Sequence, residues 1–250
     1  MNAIILAAGK GARLNGIAGS DPKCLIRVGG LSLIERQVGI LRECGIDRIS
    51  IVVGYGADRV RNVCGSRVNY ITNTIHDSTN SLYSLFLARR LLHQGAVIMN
   101  ADVLFHPQLL YDLLEAKQED ALLIAYKDST TPPFGDEEMK VKVRQDRVVE
   151  ISKHMDPDYA DGENVGIAKF GRIGGTLLVE LLNLLIDRAA INEWAPRAYQ
   201  DFAAQRPLHA LATRGYPWIE IDFPEDFSRA VDEVLPNIEA FDRIVTQRSA

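Results

Sequence analysis

The apolar residues of the first half of the chain fall into two rhythms. Ile4, Ile5, Leu6, Ala7 and Ala8 form an unbroken run, the pattern of a buried strand, and predict one over Ala3–Ala8. Ser32–Cys44 places Leu33, Ile34, Val38 and Leu41 at helical spacing and stops at Gly45, as a helix C-terminus should. The alternation continues with a strand over Arg48–Val53, closed by Gly54-Tyr55-Gly56, and a short helix over Asp58–Cys64. A strand over Val68–Thr72, a helix over Ser81–Leu92 and a buried strand over Ala96–Asn100 follow. This succession predicts an α/β fold, a Rossmann-like mixed and mainly parallel sheet flanked by helices.

The second half changes character. Ala121–Tyr126, Lys140–Arg144, Val148–Ser152 and Asn164–Phe170 read as strands in a more antiparallel style, a smaller β subregion. Asp128–Glu138, rich in Thr, Pro, Gly and acids, reads as a mobile loop. Gly174–Arg188 is a strongly apolar helix that suits either the core or a homodimer contact, and Pro224–Val234 is another helix. The expectation is a single domain over residues 1–236, divided into halves at 1–120 and 121–236. The tail, 237–250, is either a terminal helix or frayed, with Gln247–Ala250 expected to be disordered.

Composition narrows the class. A chain of 250 residues, 47% hydrophobic and 24% charged, is long enough for one large soluble domain. A net charge of −5 argues against nucleic acid as a partner, since such proteins show a clustered basic excess. Cys24, Cys44 and Cys64 are widely spaced, which disfavours disulfides or structural zinc and fits a cytoplasmic location. No run approaches the roughly 20 apolar residues that cross a membrane. The five histidines show no metal spacing; they read as surface or cap residues, and only His106 lies near a candidate site residue.

The candidate chemistry begins where the first strand ends. Leu6-Ala7-Ala8-Gly9-Lys10-Gly11-Ala12-Arg13-Leu14 is a glycine-and-cation turn. Glycines let backbone amides approach an anion closely, and Lys10 and Arg13 add positive charge, a combination suited to a triphosphate. Leu14 stands where the dinucleotide-binding fingerprint needs a third glycine, and the P-loop spacing is absent. Asp21-Pro22-Lys23-Cys24-Leu25 follows, with Pro22 stiffening the chain ahead of Lys23.

The glycine turn followed by Pro-Lys resembles the nucleotidyltransferases that join a nucleoside triphosphate to a sugar phosphate or phospho-alcohol. The resemblance implies a nucleotide-diphospho-sugar transferase-like fold. It implies a loop of Leu6, Ala8, Gly9, Lys10, Gly11 and Ala12 around the nucleotide, with Arg13 and Lys23 as catalytic cations that neutralise phosphate charge. The stretch Asn80-Ser81-Leu82-Tyr83-Ser84 is similar to the phosphocholine cytidylyltransferase branch, whose members use CTP, and further matches extend the resemblance to about Val234. Asn80 and Ser81 then face the base, although Asn80 is also a good helix cap.

Asp102 follows the strand Ala96–Asn100, at the carboxyl end where a parallel sheet binds ligands. Alone it suits a magnesium ligand or a turn cap; the resemblance favours Mg2+. Many members have Gly-Asp there, whereas this chain has Ala101-Asp102, which is tolerable unless the backbone takes positive φ. Glu220 and Asp222 lie two apart in Trp218-Ile219-Glu220-Ile221-Asp222, so both side chains point one way and supply the remaining acids. Asp222 suits a cap for the Pro224 helix equally well.

In the acceptor half, Lys140 and Lys153 suit an acceptor phosphate or phosphonate, or else face solvent as ordinary strand lysines. Tyr83 and Glu163 are further acceptor candidates, and Trp194 belongs to a loop or short helix near the pocket. The reading is a Mg2+-dependent transfer of CMP from CTP to a small phosphate or phosphonate monoester. A sugar-1-phosphate nucleotidyltransferase using another triphosphate and a non-catalytic nucleotide-binding regulator are the alternatives.

Overall fold

Alternate residues of the first strand, β1 (Asn2–Ala7), enter opposite cores. Ile4 and Leu6 pack on one face of the sheet, and Ala3, Ile5 and Ala7 on the other. Burial on both faces is why the sequence runs apolar without a break. The computed structural model describes residues 1–128 and 133–240. Part of the Asp128–Glu138 loop and the end of the tail, Gln247–Ala250 included, therefore lie outside the described residues.

After β1 come a four-residue helix, α1 (Asn15–Ala18), and a small hairpin of β2 (Arg27–Val28) and β3 (Leu31–Ser32). Then α2 (Leu33–Glu43), β4 (Ile49–Val53), α3 (Ala57–Cys64), β5 (Asn69–Thr72), α4 (Ser81–Leu87) and β6 (Ala96–Asn100) complete the α/β half. A capping box starts α2: Ser32 and Glu35 each accept a hydrogen bond from the other's backbone N–H. The helix expected to reach Leu92 leaves α geometry after Leu87 and continues as a 3-10 segment, Arg89–Gln94.

The rest of the chain supplies β7 (Val103–Phe105), α5 (Pro107–Glu115), β8 (Ala121–Tyr126), β9 (Lys140–Arg144), β10 (Arg147–Ser152) and β11 (Gly162–Phe170). It ends with α6 (Arg172–Asp187), α7 (Pro196–Ala203), β12 (His209–Ala212), β13 (Trp218–Glu220) and α8 (Pro224–Arg229). Helical backbone continues from α8 through a π segment, Ala230–Val234, to residue 240. Periodicity leaves α5 and β12 unassigned, because α5 opens on Pro107 just after a strand and β12 is only four residues.

Nine strands form one mixed sheet in the order β5-β4-β1-β6-β11-β8-β12-β10-β9. It is parallel from β5 to β6, whereas β11 runs antiparallel to both β6 and β8. The far strands curl back, so that β9 also pairs with the start of β11 through Gly162 and Glu163. Helices α4, α6 and α7 cover one face and α2, α3 and α5 the other. A third cluster, including Val28, Leu33, Ile221 and Leu235, seats the last helix on the β2–β3 hairpin. All three cysteines are free thiols. Among the described residues no helix is long and apolar enough to cross a membrane.

The helix α6 buries Leu178, Leu181, Leu182 and Leu185 in the first core, so its apolar length is mostly core. Its first turn lies against backbone: a Cβ on Gly175 would stand 2.0 Å from the carbonyl oxygen of Leu92. Gly175→Ala should therefore destabilise the protein by about 2 kcal/mol or more, because backbone must move to make room. Gly39→Ala, in the interior of α2 with open space at its Cβ, should stabilise it by about 0.5–1 kcal/mol. Urea unfolding of the two variants beside the parent checks both signs; equal midpoints would refute the packing argument.

Candidate functional site

The turn after β1 is shaped around a lysine. Gly11 has φ +69°, and a Cβ there would lie 2.6 Å from the Cβ of Lys23, so glycine is required for conformation and for space. Pro22, in extended conformation, precedes the short 3-10 turn Lys23–Leu25. From there the Lys23 ammonium donates to Asp102 Oδ2 at 2.8 Å and to Asp222 Oδ1.

Two distant segments bring the acids together. Asp102 lies in the turn between β6 and β7, and β7 pairs antiparallel with β13, setting Glu220 opposite Val103. The N–H of Ile221 then donates to the carbonyl of Asp102 at 3.0 Å. Asp222 does not cap α8: the N-cap position is Phe223, and the carboxylate of Asp226 in the first turn accepts the N–H groups of Asp222 at 3.0 Å and Phe223 at 2.8 Å. That arrangement leaves the Asp222 carboxylate to face Lys23. Ala101 avoids positive φ, so its methyl group is accommodated.

Oxygens of Asp102, Glu220 and Asp222 lie within 4.8 Å of one another. Burial pushes the Glu220 carboxyl well above the usual range, and the charges of Asp102 and Asp222 push it further. Burial alone would lower the pKa of Lys23, but Asp102, Asp222 and Glu220 more than reverse this and raise it. One ammonium does not balance three carboxylates, and Asp102 Oδ1 is buried without a hydrogen-bond partner. Hard oxygen donors, surplus negative charge and an unsatisfied inward oxygen all fit a divalent cation.

A cavity of about 400 Å3 opens over this cluster. Leu6, Ala8, Gly9 and Arg13 line it, as do Asn80, Ser81, Lys153, Asp102, Glu220 and Asp222. Asn80 also caps α4, its side chain accepting the Ser81 N–H at 2.7 Å. Ser81 Oγ accepts the Ala195 N–H at 2.8 Å and so ties the loop carrying Trp194 to the cavity wall. Lys153 lies 4.8 Å from the centre of the Trp194 ring.

Other expected residues lie elsewhere. Lys10 sits over the Tyr55 ring at 5.4 Å, and Lys10, Gly11 and Ala12 do not line the cavity. Tyr83 stacks on Phe86 instead of reaching the acceptor region. Lys140 is neither solvent-facing nor at a cavity: it is 1% exposed, and its ammonium donates to the carbonyl of Gly135 at 2.6 Å. It anchors a loop. His106 is a buried cap, accepting the Gln108 N–H, whereas His76, read as a surface or cap residue, lines the cavity.

Glu137 is a cavity residue that sequence reasoning passes over, because a single acid in a polar loop carries no spacing signal. It bonds both Arg13 nitrogens, at 2.9 and 3.1 Å, and the Lys153 ammonium at 3.1 Å. The Arg13 hydrogen bonds, then those of Lys153, hold its carboxyl below the usual range. Glu163 lines a second cavity, described below.

Residues 3–144 match the MobA-like NTP transferase domain. The chain belongs to that family and is a nucleotidyltransferase. It is 27% identical over 254 residues to the CTP:phosphoglutamine cytidylyltransferase of Campylobacter jejuni, covering 93% of this chain and all of that one. It is 34% identical over 116 residues to the 2-aminoethylphosphonate cytidylyltransferase of Lancefieldella rimae, 44% of this chain and 46% of that one. The fold superposes on the CTP:phosphocholine cytidylyltransferase of Streptococcus pneumoniae with a TM-score of 0.73 and 23% identity, over 94% and 98% of the two chains. The fold is thus nucleotide-diphospho-sugar transferase-like.

Because Glu137 occupies the cations that line the cavity, it competes with any polyphosphate that binds there. Exposed ion pairs are worth about 0.2–1 kcal/mol, so Glu137→Gln should bind inorganic triphosphate about two- to fivefold more tightly. Isothermal titration in metal-free buffer measures this, and unchanged or weaker binding would contradict the competition.

Proposed function

We propose that the protein is a magnesium-dependent cytidylyltransferase that joins CMP from CTP to a small phosphate or phosphonate monoester and releases pyrophosphate. The observation that carries the reading is the convergence of Asp102, Glu220, Asp222 and residues of the glycine turn on one cavity, with Lys23 bonded to two of those acids. The names of the relatives, which specify CTP with phosphoglutamine or an aminoalkylphosphonate, support the choice of triphosphate and acceptor class. Asn80 and Ser81 suit a pyrimidine edge, since amide and hydroxyl groups both donate and accept.

An acceptor phosphate oxygen is already anionic near neutral pH, so the reaction needs no protein base. That oxygen attacks the α-phosphorus; the new P–O bond forms as the bond to the bridging oxygen breaks, and pyrophosphate leaves with the electron pair. The chain's work is positioning and charge neutralisation. Arg13 and Lys23 meet the phosphates, Lys23 exchanging its carboxylate partners for phosphate oxygens. Asp102, Glu220 and Asp222 would hold Mg2+, which supplies further neutralisation of phosphate charge. Lys153, at the cavity wall, suits the acceptor's phosphate or phosphonate.

A screen of pyrophosphate release tests this, with CTP, UTP, GTP and dTTP against phosphocholine, aminoethylphosphonate and hexose-1-phosphates. CTP with a phosphonate or phospho-alcohol should be preferred. Preference for a hexose phosphate would select the sugar-nucleotide alternative, and absence of turnover with every pair would leave a nucleotide-binding regulator. EDTA should abolish release and added Mg2+ restore it. Lys23→Ala should lower kcat by about 10²–10³-fold, the scale of losing one transition-state donor, with folding checked by circular dichroism. Near-parental turnover in that variant would sink the assignment.

A further inference from the structure

The candidate site has a second chamber. A cavity of about 400 Å3 adjoins the first and shares Glu137, Glu220 and Asp222 with it as common walls. Away from those acids its lining changes: Tyr126, Trp218 and Phe223 give it aromatic surface, Glu138 and Asp226 line it with carboxylates already bonded to backbone N–H groups, and Glu163 and Arg229 face it with opposite charges. Strand β11 carries Glu163, held in register opposite Ala125 of β8, and Arg229 ends α8. Both positions are on regular elements, so the spacing of the two charges is set by the scaffold.

The two charges feel each other through space but are not joined by a direct bond. Among the described residues the side chains of Glu163 and Arg229 make no hydrogen bond and no ion pair, although their backbones belong to β11 and α8. Other acid–base neighbours around the site do pair, as Arg13 and Lys153 do with Glu137. Burial, with the nearby charge of Glu138, pushes the Glu163 carboxyl up to about 7, and Arg229 and Lys140 pull the other way. A cation delivered to that carboxylate would relieve its unfavourable surroundings.

These features together specify a ligand. A neutral polyol has no need of either charge. A simple amine would satisfy Glu163 but bring its positive charge towards an unpaired guanidinium. A simple carboxylic acid would satisfy Arg229 and meet Glu163, Glu137 and Glu138 as like charges. An α-amino-acid group offers both charges on one carbon: an ammonium for the carboxylate, and a planar carboxylate matched to the guanidinium fork.

We propose that the acceptor carries an α-amino-acid end, which this second chamber binds with Glu163 on the ammonium and Arg229 on the carboxylate. The acceptor's phosphate or phosphonate end then crosses the shared wall to the Lys23 and carboxylate cluster. This inference rests on the nucleotidyl-transfer reading and narrows its acceptor. Both side chains act as specificity residues; the bonds made and broken are those already described.

Three matched phosphonates separate the charges. 2-Amino-4-phosphonobutyrate carries both groups, 3-aminopropylphosphonate lacks the carboxylate, and 4-phosphonobutyrate lacks the amine. With the parent enzyme, CTP and Mg2+, the first should show a KM at least about tenfold below the other two, the scale of one charged hydrogen bond. Glu163→Gln should raise KM for the two amine-bearing compounds about tenfold more than for phosphonobutyrate. Arg229→Gln should do the same for the two carboxylate-bearing compounds relative to aminopropylphosphonate. A merely structural defect would shift all three together and would refute the assignment. Equal KM values in the parent would also overturn it, as would rejection of all three while phosphocholine is turned over; in both cases the transfer reading survives. Absence of pyrophosphate release with any triphosphate and any acceptor would instead overturn the transfer reading and this inference with it.

Discussion

The site depends on one electrostatic constraint: three carboxylates from two distant segments held within 4.8 Å of one another. At an effective dielectric near 20, two unit charges at that distance repel by about 3–4 kcal/mol. Such a cluster persists only if a cation or a proton answers it, as the raised Glu220 carboxyl allows, and the backbone enforces it. The enforcement is visible in the β7–β13 pairing and in the Asp226 carboxylate that fixes the backbone at Asp222. The answering cation within the chain is Lys23, and its position in turn requires Gly11. The glycine turn is therefore shaped by the lysine as well as by any phosphate.

The same logic extends outward. Among the described residues, the arginine and lysine that line the first cavity, Arg13 and Lys153, both pair with Glu137, and Lys23 pairs with two of its lining acids, Asp102 and Asp222. These pairs keep cations folded towards the cavity, where they are available for exchange. A polyphosphate entering that space swaps one set of anionic oxygens for another, which costs less reorganisation than recruiting cations from solvent. Glu137 is the hinge of this exchange because it lines both chambers.

Legibility in the sequence followed the range of the interactions. The α/β half was readable because its strands are buried on both faces and its helices carry local caps, as Ser32 and Glu35 do for α2. The acids were readable because each sits beside a strand end, and the family resemblance ordered them into one set. Lys140 was not, since a strand lysine looks alike in sequence whether it faces water or donates to a loop carbonyl five residues away. Tyr83 was misplaced for a related reason: helical spacing gives its face only approximately, and an aromatic neighbour, Phe86, claims it. Glu137 lay in a segment whose composition says only loop, and its importance comes from partners 124 and 16 residues away.

The two chambers also explain why the acceptor was the hardest part to read. The first cavity takes several of its lining residues from two short stretches, Leu6 to Arg13 and Thr79 to Ser81, which the sequence shows as motifs. The chamber proposed for the acceptor draws its residues from β8, β11, β13, α8 and the loops between elements, so no short stretch of sequence records it. What identifies it is a departure from the rule followed elsewhere in the site. Charges that serve the fold or await phosphate are paired, whereas Glu163 and Arg229 share a chamber unpaired. A scaffold that fixes opposite charges on a strand and a helix without joining them leaves room for a molecule that carries both complements. On the proposed reading that demand falls on the acceptor, because a nucleoside triphosphate brings no ammonium group.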